Sequence, residues 1–138
     1  MEVSIEQQQK LERVASTYHL TLILLFGSVL SGKQHLRSDL DIAVLYERQK
    51  LQLKEYSDLM HDLHEIFPDL DIDLASINHA DPLFLKKVTE NCQVLYGDIR
   101  RLQALKIYAF KRYQDHRRYF EMERKYVVRF LKERAVSK

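Results

Sequence analysis

The segment of the chain from Gly27 to Asp41 holds the residues whose types and spacing could do chemistry. Gly27-Ser28 follows an apolar run, and Asp39-Leu40-Asp41 opens the next one after ten intervening residues. A glycine lets the backbone approach a phosphate closely, and the Ser28 hydroxyl adds a hydrogen-bond donor. In an extended segment Asp39 and Asp41 point to the same face, where two carboxylates can hold a hard divalent cation. The pattern predicts a metal-bridged polyphosphate site.

The same segment also matches the start of a P-loop, because Gly27 to Lys33 fits G-x-x-x-x-G-K. A P-loop next requires Ser or Thr to ligate Mg²⁺, and it opens a long helix. Here Gln34 follows Lys33, and another strand-like run begins within a few residues. We therefore exclude the P-loop. Lys33 and His35 stay in the candidate loop, where either could contact a phosphate or an acceptor.

A third carboxylate is expected on a later strand. The segment Asp71-Ile72-Asp73-Leu74 alternates acidic and apolar residues, which is typical of a strand with one polar face. The apolar residues around Asp39 and Asp41 imply a buried neighbourhood, where two carboxylates without cations or donors would cost several kcal/mol. A third carboxylate on an adjacent strand would strengthen the case for a metal site. The alternation therefore favours a third metal ligand from this strand, with Asp73 and Asp71 as the two alternatives.

Hydrophobic periodicity gives the elements that must position these residues. It predicts helices over 5–18, 51–67, 81–90 and 99–135, and strands over 20–26, 40–46, 70–77 and 93–96. A capping box at Ser4 and Gln7 and an N-cap at Asp81 before Pro82 mark two of the helix starts. The order indicates a small α/β or α+β sheet domain with an extended C-terminal helix.

Composition limits the classes of protein that this chain can be. Its 138 residues suit one domain, and no apolar run reaches the roughly 18–20 residues of a membrane span. The N-terminus shows no signal-peptide pattern, and the single Cys92 excludes an internal disulfide framework. These features lead us to expect a cytoplasmic protein that does not enter a membrane.

Charge is divided unevenly along the chain. Residues 99–138 hold 13 Lys/Arg and 4 Asp/Glu, whereas residues 1–98 hold 9 and 16. The division predicts an acidic body over 1–97 that could hold cations and a basic helix over 98–138 that packs on the body or on a partner.

Taken together, Gly27-Ser28, Asp39-Leu40-Asp41 and the apolar-Asp-apolar strand at Asp73 resemble the DNA polymerase beta-type nucleotidyltransferase superfamily. The short length is similar to its minimal nucleotidyltransferase (MNT) group. The resemblance covers residues 1–97 and implies a polymerase beta-like fold, with a small mixed sheet flanked by helices. Ser31 stands where the family commonly has Arg, so one phosphate contact differs.

The resemblance also implies roles for the matching residues. Gly27 and Ser28 would bind the phosphates of a nucleoside triphosphate, ATP in the expected case. Asp39 and Asp41 would bind two Mg²⁺ ions, and Asp73 would complete the metal site and help to deprotonate an acceptor hydroxyl. Attack at the α-phosphorus would transfer a nucleoside monophosphate and release pyrophosphate.

Small MNT proteins resemble the antitoxins of toxin–antitoxin pairs whose toxins are helical HEPN ribonucleases. The resemblance implies an antitoxin that transfers AMP to a toxin hydroxyl, expected to be a tyrosine, with the basic helix as the docking element. Three alternatives stay open. They are a non-catalytic neutralising module, a nucleic-acid-binding module, and a nucleotidyltransferase that acts on a small molecule or an RNA end.

Overall fold

A computed structural model of the protein describes residues 1–27, 39–47 and 51–136. These residues form four helices and four strands, and the last element is a long C-terminal helix. They are α1 (Ile5–Thr17), β1 (Leu20–Phe26), β2 (Leu40–Tyr46), α2 (Leu53–Ile66), β3 (Ile72–Ser76), α3 (Pro82–Glu90), β4 (Cys92–Tyr96) and α4 (Ile99–Val136). The fold expected from the sequence is confirmed.

The strands form one mixed sheet in the order β3-β2-β1-β4. β1 runs antiparallel to both β2 and β4, whereas β2 and β3 are parallel. The end of β1 therefore lies beside the start of β2, and the start of β3 lies on the other side of β2. Phe26 is the register partner of Asp41, and Asp41 is in turn the partner of Asp73.

Both faces of the sheet are covered by helices, which is why β1 and β2 are nearly continuous apolar runs. α1 and α2 pack on one face, in a buried cluster that includes Leu11, Leu25 and Leu63. α3 and the first turns of α4 pack on the other face, with Leu24, Ala43, Leu85, Val88, Leu102, Leu105 and Ala109. The sheet is thus held between two separate apolar layers.

The predicted helix starts at Ser4 and Asp81 are confirmed by their hydrogen bonds. The Ser4 hydroxyl accepts from the Gln7 backbone N–H at 3.1 Å, and the Gln7 side chain accepts from the Ser4 N–H at 3.0 Å. The Asp81 carboxylate accepts from the Phe84 N–H at 2.9 Å, and Pro82 occupies the first helical position. These caps satisfy donors that the first helical turn leaves unpaired.

α4 has two parts with different surroundings. Leu102, Leu105 and Ala109 of its first turns are buried against the body. From Glu121 to Ala135 every residue is exposed. The division into a body over 1–97 and a helix over 98–138 stays a prediction. The first turns of α4 nevertheless lie in the same apolar cluster as residues of the sheet. Within the described part of the chain, no helix is both long and apolar enough to cross a membrane.

Tyr18, which follows α1, ties this helix to α2. Its hydroxyl donates to the Asp62 Oδ2 atom at 2.6 Å. Burial, followed by the hydrogen bond to Asp62, raises the pKa of Tyr18 well above its usual value near 10. Because the folded pKa exceeds the unfolded one, the stabilisation is complete below about pH 10 and is lost as pH rises through the folded pKa.

We predict that Tyr18→Phe lowers the free energy of unfolding by about 0.5–1 kcal/mol at pH 7, since one partly exposed hydrogen bond is lost. The difference between the wild type and this variant should shrink as pH rises above 10. Urea denaturation at a series of pH values measures both effects. Tyr108→Phe, at an exposed position of α4, is the matched control and should leave stability nearly unchanged. A difference that grows above pH 10 would contradict the interpretation.

Candidate active site

The ends of three strands bring the predicted site residues together. β1 ends at Phe26 and is followed by Gly27, and the second residue of β2 is Asp41. Asp73 is the second residue of β3 and pairs in register with Asp41. Because the two strands are parallel and the residues are register partners, both side chains leave the same face of the sheet.

Gly27 makes room for the Asp41 carboxylate. Its φ of +87° lies in the region that favours glycine. A Cβ atom at this position would lie 2.1 Å from Asp41 Oδ2 and 3.0 Å from Asp41 Cγ, so any side chain would displace the carboxylate. The sequence predicted that this glycine serves close approach of a phosphate. In the structure, the group that approaches the Gly27 backbone closely is the Asp41 carboxylate.

These residues line an open cavity of about 650 Å³. Asp41 and Asp73 form one wall. The side chains of Phe26 and Phe84 meet edge to face beside it, with ring centroids 5.9 Å apart. The remaining lining residues that the structure describes are Gly27, Ala75, Lys87 and Asn91. The cavity therefore combines an acidic wall, an aromatic wall and a polar wall.

The acidic wall fits a magnesium ion by the chemistry of its donors. Mg²⁺ prefers oxygen ligands and is commonly held by one or two carboxylates, with water and substrate phosphates completing its shell. Asp41 and Asp73 supply two such carboxylates on adjacent strands. In residues 1–27, 39–47 and 51–136, no three His, Cys, Asp or Glu side chains come together as a metal-binding group. Asp39 is exposed at the start of its described segment and stands outside the pair.

Asp71 occupies a different place from Asp73. It precedes β3, and its backbone carbonyl accepts a hydrogen bond from the Leu40 N–H at 2.6 Å. Its side chain is not among the residues that line the cavity, whereas that of Asp73 is. Of the two alternatives left by the sequence, Asp73 is therefore the one that shares a cavity with Asp41.

Tyr56 of α2 supports β3 from the opposite face of the sheet. Its hydroxyl donates to the Leu74 carbonyl, next to Asp73 in the chain. Burial, and to a smaller extent the negative charge of Asp73, raises the pKa of Tyr56. The tyrosine thus stays a neutral donor at physiological pH and fixes the backbone beside Asp73.

Three predicted candidates, Ser28, Lys33 and His35, lie outside the described residues. Conversely, Phe84, Lys87 and Asn91 line the cavity although the sequence analysis gave them no role. Their spacing of three and four residues along α3 was the available signal, because it places them on one face of that helix.

Comparison with known proteins gives relatives of this fold and site. The protein adenylyltransferase MntA of Aphanizomenon flos-aquae (strain 2012/KM1/D3) is 30% identical over 89 residues, which are 58% of this chain and 59% of that protein. The match thus spans about three fifths of this curated relative. A crystal structure of a toxin–antitoxin with AMP-PNP aligns with a TM-score of 0.70 and 26% identity, over 90% of this chain and 97% of that one.

A rebuilt structure of the tri-AMPylated Shewanella oneidensis HEPN toxin in complex with MNT antitoxin shares the fold. It aligns with a TM-score of 0.65 and 23% identity, over 91% of this chain and 96% of that one. The family described as "Polymerase beta, Nucleotidyltransferase" matches residues 9–100, a range that contains both paired carboxylates and all four strands. The chain therefore belongs to the polymerase beta nucleotidyltransferase family.

Proposed function

We propose that this protein transfers AMP from ATP to a tyrosine hydroxyl of a HEPN ribonuclease toxin and thereby acts as its antitoxin. The observation that carries the proposal is the register pair of Asp41 and Asp73, which places two carboxylates beside Gly27 in one open cavity. The toxin–antitoxin structures that share the fold and the adenylyltransferase relative support the choice of nucleotide and partner.

The reaction assigns a separate task to each residue. Gly27 and Ser28 bind the phosphates, and Asp39 and Asp41 would hold the two Mg²⁺ ions. Asp73 completes the metal site and accepts the proton of the acceptor hydroxyl. The hydroxyl oxygen forms a bond to the α-phosphorus, and the bond from that phosphorus to pyrophosphate breaks with its electron pair on the leaving group. When bound, Mg²⁺ at these carboxylates would neutralise the negative charge that develops during transfer.

The transfer would silence the toxin by electrostatics and by bulk. A ribonuclease site must bind an anionic RNA backbone, which it does largely through basic residues. An added AMP brings negative charge and the volume of a nucleotide to the modified tyrosine. The modification therefore opposes RNA binding without any need for the toxin to unfold.

We predict that the protein transfers label from α-³²P-ATP, but none from γ-³²P-ATP, to its toxin. Asp41→Asn and Asp73→Asn should each reduce this transfer at least about a hundredfold, since each removes a charged ligand from the reacting centre. Asp71→Asn is the matched control, an acidic residue outside the cavity, and should keep most of the activity.

Other outcomes of that assay separate the competing functions. Transfer of γ-label would indicate a kinase and contradict the proposal. Full neutralisation of the toxin by the inactive Asp41→Asn protein would favour a non-catalytic binding module. Labelling of an RNA end or a small molecule, with the toxin unlabelled, would assign the same site to another acceptor.

The second half of α4 provides the docking surface for the toxin. Phe120, Val127 and Leu131 follow Ala109 at steps of eleven, seven and four residues, so they lie on the helix face that buries Leu102, Leu105 and Ala109 against the body. Beyond Phe120 this face is exposed, with Val127 at 48% and Leu131 at 60%. We call Phe120, Val127 and Leu131 the α4 apolar face. An apolar helix face of this kind fits a groove between the helices of a partner.

The back of the same helix is basic, since Arg118, Lys125 and Arg129 recur there at helical spacing. All three side chains are exposed. This back face is the surface that a nucleic-acid-binding function would use. The two faces can therefore be tested separately on the full chain.

We predict that the double variant Val127→Asp, Leu131→Asp lowers affinity for the toxin at least about tenfold and slows its modification, with ATP binding unchanged. The matched control, Lys125→Ser with Arg129→Ser on the back face, should bind the toxin nearly as the wild type does. Toxin binding is measured by calorimetry with purified partners. If the apolar-face variant modifies the toxin at the wild-type rate, docking through this face is contradicted. If the control variant loses a salt-sensitive affinity for RNA, the back face is assigned to nucleic-acid binding.

A further inference from the structure

One part of the cavity lining comes from α3 and its C-cap. Phe84, Lys87 and Asn91 follow one another at intervals of three and four residues, on one face of the helix and its C-cap. Leu85 and Val88 of the same helix point into the apolar layer and are buried. The packing of α3 on the sheet therefore fixes which of its side chains reach the cavity. Among the described lining residues, Lys87 is the sole cation.

Lys87 differs from its neighbour Lys86 in how it is engaged. The Lys86 ammonium lies 2.7 Å from the Glu90 carboxylate and 4.5 Å from the centre of the Tyr113 ring. The hydrogen bond to Glu90 raises the pKa of Lys86. Lys87 forms no ion pair with any residue that the structure describes, and it is exposed at the cavity. The two adjacent lysines thus differ in their contacts. Lys86 contacts Glu90 of α3 and Tyr113 of α4, whereas Lys87 lines the cavity.

We propose that Lys87, which lines the same cavity as Asp41 and Asp73, binds the triphosphate of the nucleotide. The inference rests on the proposed function and extends it to a residue of α3. A nucleoside triphosphate carries several negative charges, and metal ions held by Asp41 and Asp73 would neutralise part of them. A lysine ammonium is a compact cation that suits phosphate oxygens, and its charge-assisted hydrogen bonds are stronger than neutral ones.

The acceptor tyrosine is a less suitable ligand for Lys87 than the triphosphate is. A tyrosine hydroxyl enters the reaction as a neutral group and gives up its proton to a carboxylate, so it needs no fixed positive charge to bind. The polyphosphate needs one both before and during transfer, because negative charge moves onto pyrophosphate as the bond to the α-phosphorus breaks. Lys87 is therefore assigned to the nucleotide, and Asn91 adds an amide on the same wall.

Binding of α,β-methylene-ATP with Mg²⁺ to the full-length protein, without any acceptor, tests the assignment because this analogue cannot transfer its nucleotide. Lys87→Met should weaken binding at least about tenfold, the loss expected for a hydrogen bond to a charged group. Its affinity for adenosine should stay unchanged, and Lys87→Arg should recover part of the affinity for the analogue. The matched control Lys86→Met should stay within about twofold of the wild type for both ligands.

Unchanged affinity of Lys87→Met for the analogue would overturn the inference. An equal loss of affinity for adenosine would overturn it too, because the defect would then lie in the cavity as a whole. The proposed function is judged separately by Asp41→Asn. Normal AMP transfer by the Asp41→Asn variant would contradict the proposed function. If Asp41→Asn is inactive but Lys87→Met binds the analogue normally, only the role of Lys87 is contradicted.

Discussion

The close packing of the Asp41 carboxylate on Gly27 is the constraint on which the rest of the site depends. A side chain at position 27 would overlap Asp41 Oδ2, and the positive φ of this residue independently favours glycine. The contact exists only if Phe26 and Asp41 are register partners across β1 and β2. The end of β1 is thereby tied to one position of β2, and this residue is also the one that faces Asp73 on β3. One steric condition thus sets the relation of three strands.

Burial on both faces protects that register. A slip of one residue between β1 and β2 would turn every side chain to the opposite face of the sheet. The two apolar clusters differ in their partners, α1 and α2 on one face and α3 with α4 on the other, so such a slip would disturb both at once. The same packing holds Asp41 and Asp73 side by side near the starts of β2 and β3. Tyr56 adds a further restraint on the strand that carries Asp73.

The sequence predicted the elements well where one physical signal dominates. The apolar runs of β1 and β2 have the bounds expected for them, and the caps at Ser4 and Asp81 start their helices as expected. β3 is shorter than predicted because Leu70 and Asp71 precede its ladder, although Asp71 still accepts a hydrogen bond from Leu40. The period of two along a strand placed Asp39 with Asp41 on one face, and Asp71 with Asp73 on another strand's polar face. The pairing of Asp41 with Asp73 could not be predicted in this way, since register depends on contacts between segments that are distant in the chain.

The cavity wall on α3 was beyond sequence reasoning for the same reason. Phe84, Lys87 and Asn91 could be placed on one helix face, but not against the carboxylates, until the packing of α3 on the sheet was known. The different surroundings of Lys86 and Lys87 could not be predicted either, because the two lysines are adjacent in the sequence and only the contacts of Lys86 with Glu90 and Tyr113 distinguish them. Placement of Asp39 beside the other two carboxylates stays a prediction of the sequence pattern alone.

α4 connects the site to the surface proposed for the partner. Its first turns are part of the same apolar cluster as Leu85 and Val88 of α3, the helix that carries Lys87. Lys86 on α3 lies over the ring of Tyr113 on α4, which adds a second contact between the two helices. From residue 121 to residue 136 the helix extends for about 24 Å at the usual rise per residue. A partner bound to this extension would therefore hold its acceptor group at a fixed distance from the cavity, because the helix that it grips is packed directly on the cavity wall.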